Sequence, residues 1–200
     1  MTHVVFLLVP GVHLLDLAGP AQAFFTANDR GYPYELSYVA ETPIVPTAQG
    51  ISLQAQTLWP RLGPEDLVMV PGWRAPTLRW TGPLTDGSLR RLRQHHEAGG
   101  VVASVCAGAD ALGRAGLLDG RRCTTHHDVQ DELAARYPAA IVIRDVLYVS
   151  DDRVVSSAGI ASGIDLALHL VAVRHGPVTA ARTVLVAPLM AAAAIMVRHR

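Results

Sequence analysis

Two residues of this chain, Cys106 and Asp16, have the type and setting that nucleophilic chemistry requires. Cys106 follows an apolar run, Val101–Val105, and precedes small residues, which predicts a buried strand, a sharp turn at the thiol and then a helix. Such an elbow directs the first N–H groups of the helix at the sulfur, and these favour a thiolate and lower the thiol pKa. The alternative is a buried structural cysteine. Asp16 lies in an apolar stretch before a predicted helix, where it could also be a helix N-cap.

The composition excludes several classes of function. Seventeen Lys and Arg residues balance 17 Asp and Glu residues, so the net charge attracts neither nucleic acid nor an anionic membrane. Two cysteines form no disulfide framework and match no zinc motif, which favours a reducing, cytoplasmic location. The apolar N-terminus lacks a basic segment and ends at Pro10-Gly11, so it is predicted to be a strand rather than a signal peptide.

Apolar runs alternate with helical patterns along the 200 residues. Strands are predicted at residues 4–9, 34–40, 67–70, 101–105, 140–143, 146–149 and 153–157, with a hairpin near 47–52. Helices are predicted from about residue 19 to 27, at 86–98, 107–116 and 159–173, and from 177 onward, with a further segment at 128–137. This order predicts an α/β three-layer sandwich with a mostly parallel, flavodoxin-like central sheet. Ligands in such folds bind beyond the carboxyl ends of the strands, where Pro10-Gly11, Pro71-Gly72 and Cys106 are expected to lie.

Six ordered motifs carry a resemblance to a known family. They are Pro10-Gly11 with Leu15-Asp16-Leu17-Ala18-Gly19-Pro20, Val70-Pro71-Gly72, Ser104-Val105-Cys106-Ala107-Gly108, Ala115-Gly116-Leu117-Leu118-Asp119-Gly120-Arg121-Arg122, Thr124-Thr125-His126 and Ser157-Ala158-Gly159-Ile160-Ala161-Ser162-Gly163. Over residues 3–188 the chain resembles the ThiJ/PfpI superfamily, which has the class I glutamine amidotransferase-like fold. Its nearest branches are the isonitrile hydratases and the amidase-like domains of AraC-type regulators.

The resemblance implies a role for Cys106, for Asp16 and for the backbone around them. Cys106 becomes the elbow nucleophile, and Asp16 becomes the acid that contacts it. A buried acid that keeps its proton can donate a hydrogen bond to a thiolate or pass the proton to a substrate. Backbone N–H groups at Gly72 and at Cys106 or Ala107 would bind developing negative charge. The resemblance implies no cofactor, and it implies a homodimer.

The chain departs from the family pattern at two positions and in its tail. Ala107 stands where the protease-type members carry histidine and the isonitrile hydratases usually carry threonine, which argues against protease activity. Trp73 replaces the second glycine of a Pro-Gly-Gly turn, and its side chain is expected to form one wall of the pocket or to close it. The regulators continue into a helix-turn-helix domain, whereas a domain at residues 1–188 is followed here by an apolar and basic tail, 189–200. DNA binding by this chain alone is therefore not expected.

Four further residues are candidates for the pocket: His13, His126, Ile160 and Ala161. His13 precedes Asp16 on the same loop, and His126 belongs to a resembled motif, although a structural histidine is an alternative for it. Ile160 and Ala161 begin a helix that borders the cleft in the resembled family, where small residues also serve close packing. No histidine pair has metal-ligand spacing, so no metal site is predicted. Candidates for the edge of the pocket are Trp80, Arg74 and Arg79.

Two functions are compatible with these features. The first is a cysteine enzyme, isonitrile hydratase-like or amidase-like, in which Cys106 attacks an electrophilic carbon and Asp16 donates or accepts the proton. Its substrate would be a small isonitrile, nitrile-like compound, amide or aldehyde. The second is a non-catalytic sensing domain that binds a small molecule in the same cleft. The fold does not separate them; Asp16 beside Cys106 favours the enzyme, and Ala107 and Trp73 favour the sensor.

Overall fold

A six-stranded sheet organises the chain in a computed structural model, which describes residues 1–74 and 84–184. The strands are β1 (Thr2–Leu7), β2 (Tyr34–Val39), β3 (Ile44–Pro46), β4 (Ser52–Gln54), β5 (Leu67–Val70), β6 (Val101–Val105), β7 (Arg122–Cys123), β8 (Ile141–Val142), β9 (Tyr148–Asp151) and β10 (Val154–Ser157). The sheet order is β2-β1-β5-β6-β10-β9, parallel except for the antiparallel pair β10–β9. Two small sheets, β3–β4 and β7–β8, complete the described strands.

Helices cover both sides of the sheet, which confirms the predicted three-layer α/β fold. They are α1 (Leu14–Asp29), α2 (Asp86–Glu97), α3 (Ala109–Arg114), α4 (Gln130–Arg136), α5 (Ser162–His175) and α6 (Pro177–Val184). The first of these packs against α5 and α6, and α2 packs against α3. The central strands β1, β5 and β6 are almost wholly buried because both of their faces are covered, as their continuous apolar sequences predict.

The start of α1 differs from the prediction and changes the role of Asp16. The helix begins at Leu14 rather than near residue 19, and it accommodates Pro20 in its interior. Glycine at position 19 lets α1 approach α5 closely, because a Cβ there would lie 2.7 Å from Ile164 Cγ1. Asp16 therefore lies inside the first turn of α1, and His13 occupies the N-cap position. The N-cap interpretation of Asp16 is wrong.

Some predictions fall on residues that the structure does not describe. Trp80 and Arg79 lie outside the described residues, and so do the proposed domain boundary at 188 and the tail at 189–200. The hairpin near residues 47–52 is present as β3 and β4, and Gly50 adopts a left-handed conformation (φ +89°) in its turn. Among the described helices, none is long and apolar enough to cross a membrane.

Candidate functional site

Cys106 occupies the predicted elbow between β6 and α3. Its φ of +57° lies in the left-handed region, which L-residues rarely adopt, and Cys106–Gly108 form a single 3-10 turn before the helix. Gly108 permits this turn because a Cβ at that position would lie 2.1 Å from the carbonyl oxygen of Val70. The Thr125 hydroxyl donates a hydrogen bond to the Cys106 carbonyl at 2.7 Å. The thiol is thus held at the carboxyl end of β6 and is 8% exposed.

Asp16 lies beside this thiol and is 1% exposed. Its Oδ1 accepts a hydrogen bond from the Ile160 N–H at 3.0 Å, whereas Oδ2 has no oxygen or nitrogen partner in the described part of the chain. A Cβ on Gly72 would lie 2.5 Å from Oδ2 and 3.1 Å from Cys106 Sγ, so the acid and the thiol lie against the same glycine. A Cβ on Gly159 would similarly meet Cys106 Sγ at 3.1 Å and His126 Cδ2 at 2.4 Å. Both glycines leave room for the pair.

The electrostatics of the pair correct the expectation of an acidic thiol. Burial raises the pKa of Cys106 to about 12, and the negative charge of Asp16 reinforces the rise, although the Ala107 N–H opposes it through a hydrogen bond. Burial also raises the pKa of Asp16, against the Ile160 N–H and the charges of His13 and His126. Desolvation therefore outweighs the N–H groups of the short helix that follows. The two groups together retain at least one proton at neutral pH.

A cavity of about 400 Å³ opens over the pair. Its lining contains five of the predicted site residues, His13, Asp16, Cys106, His126 and Ile160, together with Leu15 and Gln49. The backbone of Gly72 borders the pair, and its carbonyl accepts a hydrogen bond from the His13 N–H at 2.9 Å. The Ile160 side chain is 56% exposed at this cavity, and its φ of +60° is unusual for a β-branched residue.

Two predicted pocket residues are not among the residues that line the cavity. Trp73 is 2% exposed and pairs through its backbone with Val12, so it is a core residue rather than the wall that we expected. Ala161 is exposed at the N-cap of α5, one residue beyond the cavity lining. In both cases the direction of the backbone decides whether the side chain faces the cavity, because neighbouring residues on a turn or a bridge face different surroundings.

Sequence reasoning missed Gln49, which lies in the turn between β3 and β4. This turn reaches the cavity because the hairpin is hydrogen-bonded to the loop that follows β1: the Gly11 N–H donates to the Pro46 carbonyl at 2.7 Å, and the Ala48 N–H donates to the Val12 carbonyl at 3.0 Å. The sequence signals the hairpin itself, but no local pattern indicates where the hairpin docks.

His126 belongs to a cluster with the next two residues. Its Nδ1 accepts a hydrogen bond from the Asp128 N–H at 3.3 Å, and His127 Nε2 lies 3.0 Å from Asp128 Oδ1. Potential ligand atoms of all three residues lie within 4.8 Å of one another. His127 and Asp128 are largely exposed and already contact each other, so this cluster forms no enclosed metal site.

Comparisons with known proteins identify the family and agree with the fold. The DJ-1/PfpI family model matches residues 2–173, and the chain belongs to this family. The isonitrile hydratase of Pseudomonas putida is 34% identical over 167 residues, which are 82% of this chain and 68% of that protein. The HTH-type transcriptional regulator CdhR of Pseudomonas aeruginosa is 30% identical over 175 residues, 86% of this chain but only 50% of the regulator. A crystal structure of an AraC family transcriptional regulator from Pseudomonas putida has a TM-score of 0.81 at 23% identity, with 93% of this chain and 99% of that chain covered, and shows the shared fold.

Proposed function

We propose that this protein is a cysteine enzyme that acts on a small electrophilic substrate, with isonitrile hydratase-like or amidase-like chemistry. The observation that carries the proposal is the contact of Cys106, at a left-handed elbow, with a buried carboxyl group whose Oδ2 has no other polar partner among the described residues. A buried acid without a compensating partner costs folding free energy, and such groups cluster at functional sites. The similarity to an isonitrile hydratase supports this chemistry.

The pair would react in the form in which its proton resides on Asp16. That form removes the negative charge that opposes thiolate formation and places a hydrogen-bond donor beside the sulfur. With an isonitrile, the sulfur bonds to the terminal carbon, and the Asp16 proton passes to the same carbon to give a thioimidate. Water then adds to that carbon, nitrogen takes up a proton, and the C–S bond breaks to release a formamide. The hydroxyl group of the adduct gives its proton to Asp16 as the C–S bond breaks, so the pair regains its one proton and the enzyme is regenerated.

The first test measures the pH dependence of Cys106 alkylation by peptide mass, in the natural protein and in Asp16→Asn. Burial raises the pKa of Cys106, so the thiolate forms near neutral pH only if the pair shares its one proton with Asp16. We therefore expect the alkylation rate of the natural protein to level off below roughly pH 8.5, the pKa of a free thiol, and the rate in Asp16→Asn to keep rising above that pH. This result would show that a protonated Asp16 supports the thiolate, and a rate that keeps rising above that pH in both proteins would overturn the proposed mechanism.

The second test is turnover of small isonitriles, amides and aldehydes, with products identified by mass spectrometry. We expect a formamide from an isonitrile, and loss of turnover in Cys106→Ser and Asp16→Asn. The matched control is Cys123→Ser, because the second cysteine is fully buried in β7 and does not line the cavity. Turnover that survives Cys106→Ser would refute the assignment.

A sensing function is the second candidate, and the similarity to CdhR over half of that regulator supports it. A sensor would bind a small molecule in the same cavity without converting it. Binding to the folded state alone raises the melting temperature by mass action. A compound that raises the melting temperature and remains chemically unchanged would favour the sensor over the enzyme, provided that Cys106→Ser leaves its binding unaffected.

A further inference from the structure

The cavity is lined by a polar pair, His13 and Gln49, that the proposed chemistry does not use. Gln49 Oε1 accepts a hydrogen bond from the Leu14 N–H at 3.0 Å. This N–H is one of the free donors in the first turn of α1, and His13 makes no capping hydrogen bond with its own side chain. Gln49 therefore satisfies a helix N-terminus from another part of the chain.

The bond to Leu14 fixes the orientation of the Gln49 amide. Because Oε1 faces an N–H donor, the other amide group is the NH₂ at Nε2, which can only donate. Nε2 lies 3.3 Å from His13 Nδ1. Nδ1 must therefore accept, and the hydrogen of the neutral imidazole is carried by Nε2. The Nε2–H group is then the free hydrogen-bond donor of the ring.

The surroundings hold His13 in place. Its backbone N–H donates to the Gly72 carbonyl at 2.9 Å, next to the thiol, and the turn that carries Gln49 is hydrogen-bonded to residues 11 and 12. Ile51 and Thr47 close this turn through three hydrogen bonds between them. The imidazole is thus oriented before any ligand arrives, which lowers the entropy cost of binding.

We propose that His13, positioned by Gln49, is the hydrogen-bond donor that orients the substrate toward Cys106. Nε2–H binds an uncharged acceptor, such as a carbonyl oxygen, adjacent to the carbon that the sulfur attacks. With one shared proton, the Asp16 and Cys106 pair carries one negative charge, so an anionic ligand group would be repelled. The inference rests on the proposed nucleophile and narrows its substrates to small neutral electrophiles that carry a hydrogen-bond acceptor or, like the nitrogen of an isonitrile, gain one when the sulfur adds to the carbon.

The test compares two alkylating reagents of similar size, bromoacetamide, which carries a carbonyl acceptor, and allyl bromide, which carries none. The rate of Cys106 alkylation is measured by peptide mass and divided by the rate of the same reagent with glutathione. We expect bromoacetamide to be favoured in the natural protein. His13→Ala should slow bromoacetamide about five- to tenfold, the value of one hydrogen bond, and change the allyl bromide rate less than twofold.

Two further variants separate orientation of the substrate from a structural role. His13→Gln retains an amide N–H donor and should recover part of the bromoacetamide rate. Gln49→Leu removes both the amide that contacts Nδ1 and the acceptor for the Leu14 N–H. We expect Gln49→Leu to lose the preference for bromoacetamide, whereas a helix-capping role alone would lower the melting temperature and leave the preference intact.

The outcomes also distinguish this inference from the proposed function. If His13→Ala slows both reagents equally or neither, or if Gln49→Leu retains the preference, the role of His13 is refuted while a reactive Cys106 remains. If Cys106 of the natural protein reacts with neither reagent, the nucleophile is refuted and this inference with it.

Discussion

At the scale of single residues, the site depends on one uncompensated carboxyl group. Asp16 is buried, and apart from the neighbouring Cys106 thiol only one of its two oxygens has a polar partner in the described part of the chain. Its pKa is raised by burial, so the folded state binds the Asp16 proton more tightly than the unfolded state does. Ionisation of Asp16 above this pKa therefore reduces the free energy of unfolding.

Asp16→Asn should stabilise the protein at neutral pH. The amide keeps the acceptor for the Ile160 N–H and carries no charge, so we expect about 1 kcal/mol of added stability, or about 2–4 °C in melting temperature. The gain should shrink as the pH falls toward 4, because Asp16 of the natural protein then becomes protonated. Thermal unfolding at several pH values measures this difference. Asp29→Asn, at the exposed end of α1, is the control, and a variant less stable than the natural protein at pH 7 would contradict the argument.

Gly72→Ala should disable the pair without unfolding the chain. The added Cβ would lie 2.5 Å from Asp16 Oδ2 and 2.6 Å from Cys106 Cβ, so the two side chains must separate. We expect Cys106 alkylation to slow at least about tenfold, in line with an overpacking cost of about 1–3 kcal/mol. Gly63→Ala is the matched control, because the nearest atom to its Cβ is 3.7 Å away. Equal alkylation rates in Gly72→Ala and the natural protein would show that the pair tolerates displacement.

At the scale of elements, the elbow is supported by a tie between α3 and α4. The fully buried Asp110 of α3 accepts a hydrogen bond from the Tyr137 hydroxyl at 2.7 Å and contacts Arg136 Nε at 3.2 Å. The Tyr137 ring packs on Gly113, where a Cβ would lie 2.4 Å from it. Asp110 lies one helical turn after Cys106, so the tie fixes the short helix that terminates the elbow.

Asp110→Ala should destabilise the protein by about 1–3 kcal/mol, because it leaves the Tyr137 hydroxyl without its acceptor, and relief from the desolvation that raises the pKa of Asp110 offsets part of the lost ion pair. Tyr137→Phe removes one hydrogen bond and should cost about 1 kcal/mol. Urea denaturation measures both free energies of unfolding. Asp131→Ala, which breaks an exposed pair with Arg144, should cost less than about 1 kcal/mol. A similar cost for Asp110→Ala and Asp131→Ala would show that the tie is not structural.

At the scale of the whole molecule, the homodimer and the cytoplasmic location stay predictions. Large apolar side chains remain exposed on the described surface, among them Phe25 at 50% and Val173 at 72%. Association would remove such side chains from water, which is favourable. We expect sedimentation equilibrium to give twice the chain mass of 21.4 kDa at micromolar concentration. The mass of a single chain across the concentration range would contradict this prediction.

The sequence by itself determined the elements and the elbow, because their signals are local. Continuous apolar runs predict buried parallel strands, and a cysteine between such a run and small residues predicts the turn at Cys106. The partnership of Asp16 with Cys106 followed from the resemblance of ordered motifs. The turn residues of a hairpin and the residue spacing of a helix are likewise set by neighbours in the chain. For this reason the structure confirms the predicted hairpin, β3 with β4, and the predicted helix α2.

Only the tertiary structure decided what the site contains and how its protons are held. Gln49 reaches the cavity because a hairpin docks on a distant loop, and Trp73 is withdrawn into the core by its pairing with Val12. Such placements depend on contacts between segments that are far apart in sequence. The direction in which the pKa of Cys106 shifts also depends on packing. Desolvation by the surrounding residues raises this pKa by more than the local N–H groups, which the sequence pattern reveals, lower it.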